Sequence, residues 1–209
     1  MFPSIEYLVI AFTVLIVSLS VHEAAHAWSA DLLGDPTAQR LGRLSLNPLV
    51  HIDPIGTVVF PLIAMVSGFP LIGWAKPVPV SPTHLGADWR RKFMLIAAAG
   101  PASNLVLAGV AAACIHVGFA ISSDGLSPLV ARLLFTGLTL NVLLAVFNMI
   151  PVPPLDGGNV LAGLLPDRAA DLLDRVRPFG FLILYALLFT GVISRVVAPI
   201  ATAVAGWLY

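Results

Sequence analysis

The sequence is short of charge and of cysteine. Of its 209 residues, 11% are Asp, Glu, Lys or Arg and 58% are hydrophobic, whereas a soluble domain is about 25% charged. Several uncharged runs approach or exceed the ~20 residues that cross a bilayer as a helix. A soluble domain is thereby excluded, and the chain reads as an integral membrane protein. Formal net charge is zero and the basic residues fall singly or in short loop clusters, which argues against nucleic acid as a partner. The one cysteine, Cys114, lies within an apolar run and cannot close an internal disulfide. The N-terminus lacks a basic n-region and an Ala-x-Ala site, so the first apolar run is expected to stay as a helix and not be cleaved. Glutamate is scarce as well, with only Glu6 and Glu23.

The apolar runs predict an all-α polytopic membrane protein with about four to five transmembrane helices, forming a single membrane-embedded domain over residues 1–209. The first run covers about residues 5–33 and ends near Gly34-Asp35-Pro36. Later runs extend from Phe93 to Ser123, from Leu133 to Leu155, and from Pro178 to Ser194 and beyond Arg195. Between them, Pro54 to Ala75 is free of charge but broken by Pro61, Gly68, Pro70 and Gly73. All Lys and Arg except Arg132 and Arg195 lie in 34–53, 76–92 and 166–177, segments that the positive-inside rule puts in the cytoplasm. Residues 54–75 must then enter and leave on one side, as a re-entrant or broken hairpin shielded by protein or water. Lys76-Pro77-Val78-Pro79-Val80 cannot be a regular helix, because its prolines lack the N–H that a helix needs.

At the end of the first run stands His22-Glu23-Ala24-Ala25-His26. Residues four apart on a helix lie ~6 Å apart in rise on one face, so both imidazoles can reach one ion. The spacing matches the H-E-x-x-H zinc-hydrolase pattern, with Glu23 placed to act on water at the metal. A catalytic zinc takes three protein ligands and keeps one position open. No glutamate follows Glu23, and Ser29 and Leu32 exclude the extended glycine-histidine form of the motif. The third ligand must be an Asp or His from a distant segment. Asp156, in Leu155-Asp156-Gly157-Gly158, lies at the same membrane face, and its glycines free the backbone to turn the carboxylate inward. Asp53 and His51 are its rivals.

Taken together, His22 to His26, Gly100-Pro101-Ala102-Ser103-Asn104, and Asn148 through Asp156-Gly157 resemble the motifs of the site-2 protease family of intramembrane zinc metalloproteases. His51-Ile52-Asp53-Pro54-Ile55-Gly56 and Gly73-Trp74-Ala75-Lys76-Pro77-Val78-Pro79-Val80 are similar to its minimal bacterial branch, which lacks PDZ and CBS domains. The resemblance implies that His22, His26 and Asp156 bind Zn2+ and that Glu23 is the catalytic acid/base. It also implies a membrane-anchored protein substrate, cut within or beside its transmembrane segment, and residence in a bacterial cell membrane.

Zinc in such a site activates water and polarises the scissile carbonyl, while Glu23 moves the proton. Asn104, Asn148 and His51 are candidates for substrate or oxyanion contacts. The 73–80 loop is the candidate edge for an extended substrate. His84, His116 and the charged cluster from Asp167 to Arg177 read as structural. Any regulatory module would have to come from another membrane protein. The competing function is a metal-ion or proton transporter, since intramembrane ionisable groups also line transport paths. A transporter would spread such groups over several spans and show an internal repeat; here they gather at one motif.

Overall fold

Uncharged runs longer than a bilayer is thick satisfy their backbone groups most directly as helices. The computed structural model describes residues 4–67, 74–121 and 125–208, and among these there is helix but no strand. Helix α1 (Ile5–Leu32) starts at Ser4, whose Oγ accepts from the Tyr7 N–H, and ends before Gly34, whose φ of 103° lies in the left-handed region. A short α2 (Thr37–Arg40) follows. A wide turn over Pro54–Val59 then runs into α3 (Phe60–Ser67). Past α4 (Pro82–Leu85) come the long helices α5 (Trp89–Ile121) and α6 (Pro128–Asn148). The chain closes with α7 (Asp156–Leu164), α8 (Asp167–Val176), α9 (Gly180–Phe189) and α10 (Val192–Leu208).

Three described helices, α1, α5 and α6, are long and apolar enough to cross a membrane. A fourth span is added if the bent pair Asp167–Phe189 and Val192–Leu208 counts as one. That meets the expected four to five at its lower end. α1 has 28 residues, about 42 Å, against a hydrocarbon core of about 30 Å. Val9, Val17, Val106, Val110 and Val117 face outward, as lipid-exposed residues do. Inward, α5 presents Ala97, Gly100, Ala108, Ala111 and Ala112, small residues that let helix backbones approach closely where no hydrophobic effect drives association. α5 thereby packs against α1, α6 and α7 and forms the spine of the molecule.

Two expectations are refined. The apolar run from Pro178 through Ser194 is not one helix: it breaks at Gly191, where φ is 70°, and the two arms diverge by 77°. A left-handed residue ends a helix, and glycine adopts that conformation without a Cβ penalty. The described ends of the 54–75 segment meet, since Trp74 N–H donates to Gly56 O at 3.1 Å and Thr57 Oγ1 to Trp74 O at 2.8 Å. A Cβ on Gly56 would collide with the Trp74 ring, so this closure depends on glycine. Residues 68–73 of the segment, with Gly73 of the candidate edge, lie outside the described residues.

The three basic segments share one end of the molecule. Arg43 donates to the Lys76 carbonyl, and Asp35 accepts from Ser81 N–H at 2.6 Å. Arg90 reaches Asp171 at 2.6 Å and Asp174 at 3.0 Å. Loops 34–53, 76–92 and 166–177 are thus tied together directly.

Candidate active site

Helix periodicity alone brings His22 and His26 together, one turn apart on the inner face of α1. Their Nε2 atoms are 3.1 Å apart. Asp156, the first residue of α7, brings Oδ2 to 3.1 Å from His22 Nε2 and 3.4 Å from His26 Nε2. The fold makes this possible through glycine. A Cβ on Gly157 would overlap the carbonyl oxygens of Met149 and Ile150, and one on Gly158 would lie 2.8 Å from Pro153 N. The turn from Asn148 can therefore fold back on the start of α7 and aim the carboxylate at α1. Gly100 does the same from α5, since a Cβ there would press on His26 Nε2 and, at 2.6 Å, on His22 Nε2.

The outer nitrogens of both rings are tied down. His26 Nδ1 donates to the Ile96 carbonyl at 2.7 Å. His22 Nδ1 lies 2.6 Å from Asn104 Oδ1, and a backbone group fixes the direction of that bond. Asn141 Nδ2 donates to Gly137 O, so Asn141 presents Oδ1 to Asn104, 2.7 Å away. Asn104 must answer with Nδ2, which turns its Oδ1 to His22. His22 then carries its proton on Nδ1, and the Nε2 lone pair points into the cluster.

With both Nδ1 atoms committed outward, the two Nε2 atoms and the Asp156 carboxylate are left facing one another, as donors to a shared cation would be. Their separations of 3.1, 3.1 and 3.4 Å match the edge of about 3.3 Å expected of tetrahedral donors at zinc distances. His22, His26 and Asp156 are the one group of three or more His, Cys, Asp or Glu side chains that converges in this way among the described residues. Donor set, spacing and tautomers fit zinc.

The cluster opens into a cavity of about 480 Å3 lined by Glu23, Ala75, Pro77, Asn148, Phe181 and Tyr185, among others. Glu23 Oε2 accepts from the Val78 N–H at 3.0 Å. The buried Arg43 guanidinium is pushed below its ordinary pKa by burial, while the Glu23 charge pulls it back up. Asn148 lines the cavity and gives one hydrogen of Nδ2 to Leu144 O at 3.0 Å. Asn104 is fully buried and reaches His22, not the cavity. His51 is also away from the cavity; its Nε2 donates to Ser45 O at 2.7 Å and its Nδ1 faces Arg43. Asp53 accepts from Ile55 and Gly56 N–H groups, outside the cluster.

The sequence reading missed Asn141, the Ile96 carbonyl and the Val78 amide. A signal existed for the first: an asparagine inside an apolar span is costly in lipid and marks a polar contact. Backbone groups leave no such mark.

The profile described as Peptidase family M50 matches residues 117–191, a stretch that includes Asn148 and Asp156 but not the histidine motif. YwhC of Bacillus subtilis (strain 168), provisionally named a zinc metalloprotease, is 36% identical over 200 residues, covering 94% of this chain and 86% of YwhC. The similarly named Rip2 of Mycolicibacterium smegmatis is 32% identical over 186 residues, 86% of this chain and 66% of Rip2. Rip2 of Mycobacterium tuberculosis (strain ATCC 35801 / TMC 107 / Erdman) is 29% identical over 194 residues, 93% of this chain and 68% of its own length. No solved structure matches.

Proposed function

The chain belongs to peptidase family M50, the site-2 family of intramembrane zinc metalloproteases, and on that premise we propose which residues do the work and on what. His22, His26 and Asp156 hold the zinc, Glu23 is the acid/base, and the substrate is a membrane-anchored protein cut within or beside its transmembrane segment. The observation that supports this assignment is the convergence of three donor atoms within hydrogen-bonding separation of one another while both outer imidazole nitrogens are committed elsewhere.

Zinc held there supplies the Lewis acidity that makes water nucleophilic near neutral pH and polarises a carbonyl. Glu23 accepts the proton of the attacking water and returns it to the departing amine. The Val78 N–H bond keeps this carboxylate facing the cavity. Asn148 has one Nδ2 hydrogen left for a substrate carbonyl, whereas Asn104 acts through His22 as a positioning residue. Helical amides are bonded internally, so the substrate must unwind locally before it is attacked. The whole of residues 1–209 works as one domain. The active site lies near the cytoplasmic side, because the basic loops that crowd that end are those retained in the cytoplasm.

The experiment is cleavage of single-span substrates by wild type and Glu23→Gln, with zinc measured in both. The expected result is a loss of at least roughly a hundredfold in kcat with zinc retained. Equal cleavage by the two proteins would remove Glu23 from the mechanism. Nothing among the described residues favours transport, since the one converging cluster gathers its donors at a single centre.

A further inference from the structure

Arg43 is a cation that the fold buries without meeting all its needs. Helix α2 ends in a Schellman turn: Gly42 takes a φ of 67°, and the Gly42 and Arg43 N–H groups donate to Gln39 O at 3.0 Å and Ala38 O at 2.9 Å. The chain reverses there, and Arg43 is left only 6% exposed. Its Nη2 donates to the Lys76 carbonyl and lies 3.4 Å from His51 Nδ1. Because His51 Nε2 donates to Ser45 O, Nδ1 is the nitrogen left to accept. Arg43 Nε is buried with no hydrogen-bond partner among the described residues. A buried charged group short of a partner is costly, and a tie between two loops would need only a neutral donor. What calls for a charge is Glu23, whose carboxylate draws the guanidinium toward its charged form. The two residues are also linked through the backbone. Arg43 holds the Lys76 carbonyl, and two residues on, Val78 N–H donates to Glu23 Oε2 at 3.0 Å. The residue between is Pro77. Peptide planes are rigid and the proline ring fixes φ, so Pro77 ψ is the one soft torsion between the carbonyl that Arg43 grips and the amide that grips Glu23.

We propose that Arg43 is a positioning residue for the acid/base: it fixes the Val78 amide through the Lys76 carbonyl and supplies the positive charge that balances the Glu23 carboxylate. The proposal rests on the protease reading and deepens it by naming what holds Glu23. Glu23 lines the cavity and Arg43 does not. Arg43 therefore acts on the chemical step and leaves substrate affinity alone.

The test exploits the scarcity of glutamate. Glu6 and Glu23 are the only two in the chain, so carbon-13 labelling of the glutamate carboxyls gives two NMR resonances, and the one missing from Glu23→Gln belongs to Glu23. Glu6 pairs with Arg132 at 2.8 Å, at the opposite end of α1, and serves as the internal control. Spectra are taken on the zinc-loaded chain in detergent micelles, beside cleavage of a fluorescein-labelled single-span peptide. Arg43→Met is expected to move the Glu23 resonance and not that of Glu6. It is expected to lower kcat roughly ten- to a hundredfold, the size of effect that misplacing a reacting group produces, with KM within about twofold of wild type and zinc content unchanged. Arg43→Gln, which keeps a donor for the Lys76 carbonyl and removes only the charge, is the second variant if the methionine protein folds poorly; the same changes are expected, smaller in size. A Glu23 resonance or a kcat that stays at its wild-type value, or a loss that falls on KM or on zinc, overturns the proposal and leaves Arg43 as a tie between loops. Wild-type behaviour of Arg43→Met with cleavage lost in Glu23→Gln refutes the role of Arg43 alone, whereas equal cleavage by wild type and Glu23→Gln refutes the protease reading of Glu23.

Discussion

Four histidines lie near the basic end of the molecule, and they divide by what their ring nitrogens do. His51 faces Ser45 O with Nε2 and Arg43 with Nδ1, so both nitrogens serve the loop around it. His84 places Nδ1 2.9 Å from Asp35, and its side chain is 41% exposed. His22 and His26 each give Nδ1 to a buried acceptor and leave Nε2 turned toward the other ring and Asp156. Burial does not separate the groups, since His51 is as buried as His22. The difference is whether one nitrogen is kept back and several kept-back atoms meet.

The sharpest way to break this comparison is to remove one member of each group. His22→Ala or Asp156→Ala should reduce bound zinc from one per chain to near zero by metal analysis, while His51→Ala and His84→Ala keep it. Zinc unchanged in Asp156→Ala would return attention to Asp53 and His51.

Gly100→Ala should come next in size. Both rings that its Cβ would meet are anchored at Nδ1 and cannot swing away without losing Ile96 O or Asn104. Zinc affinity is expected to fall roughly a hundredfold in a competition titration against a chelator, because both imidazoles are displaced at once. Asn104→Ala should cost roughly tenfold by the same titration, because His22 keeps its place on α1 but loses the acceptor that fixes its tautomer. Asn141→Leu should show a smaller loss, since Asn104 then has to be held by Ser18 O at 3.4 Å alone.

The smallest effect concerns the loop tie at Asp35. Burial pushes this carboxyl up, but hydrogen bonds from Thr37, Ser81 and His84 outweigh it and hold it below its ordinary value of 3.8. A lowered folded pKa means that the stabilisation is complete above the unfolded value and is lost as pH falls through the folded one. Asp35→Asn should therefore lower stability by about 1–3 kcal/mol at pH 7. In thermal unfolding, that gap between variant and wild type should close only below about pH 3.8.

Much of this was legible in the chain itself. His22, Glu23 and His26 follow from helix spacing, and the scarcity of glutamate pointed to a distant aspartate, with Asp156 the residue that the fold brings to the cluster. The membrane spans followed from runs without charge. What could not be read depended on backbone atoms and on approach distances. The Ile96 carbonyl has no side-chain signature, and Gly191 looked like any glycine in an apolar run until the helix broke there.

The chain of bonds from Gly137 to His22 behaves as a parity check. Each amide donates at one end and accepts at the other: acceptor at Gly137, donor then acceptor at Asn141, donor then acceptor at Asn104, and donor at His22. Two amides keep the proton on the outer nitrogen. Each amide turns an incoming acceptor into an outgoing acceptor, so the message survives whatever the number of amides. A hydroxyl can rotate and send either sign, so a serine substituted at Asn141 would leave Ser18 O, 3.4 Å from Asn104 Nδ2, to fix the message alone. The tautomer of His22 is thus set by backbone oxygens, Gly137 O through two amides and Ser18 O through one, and it is carried by side chains that cannot change their answer.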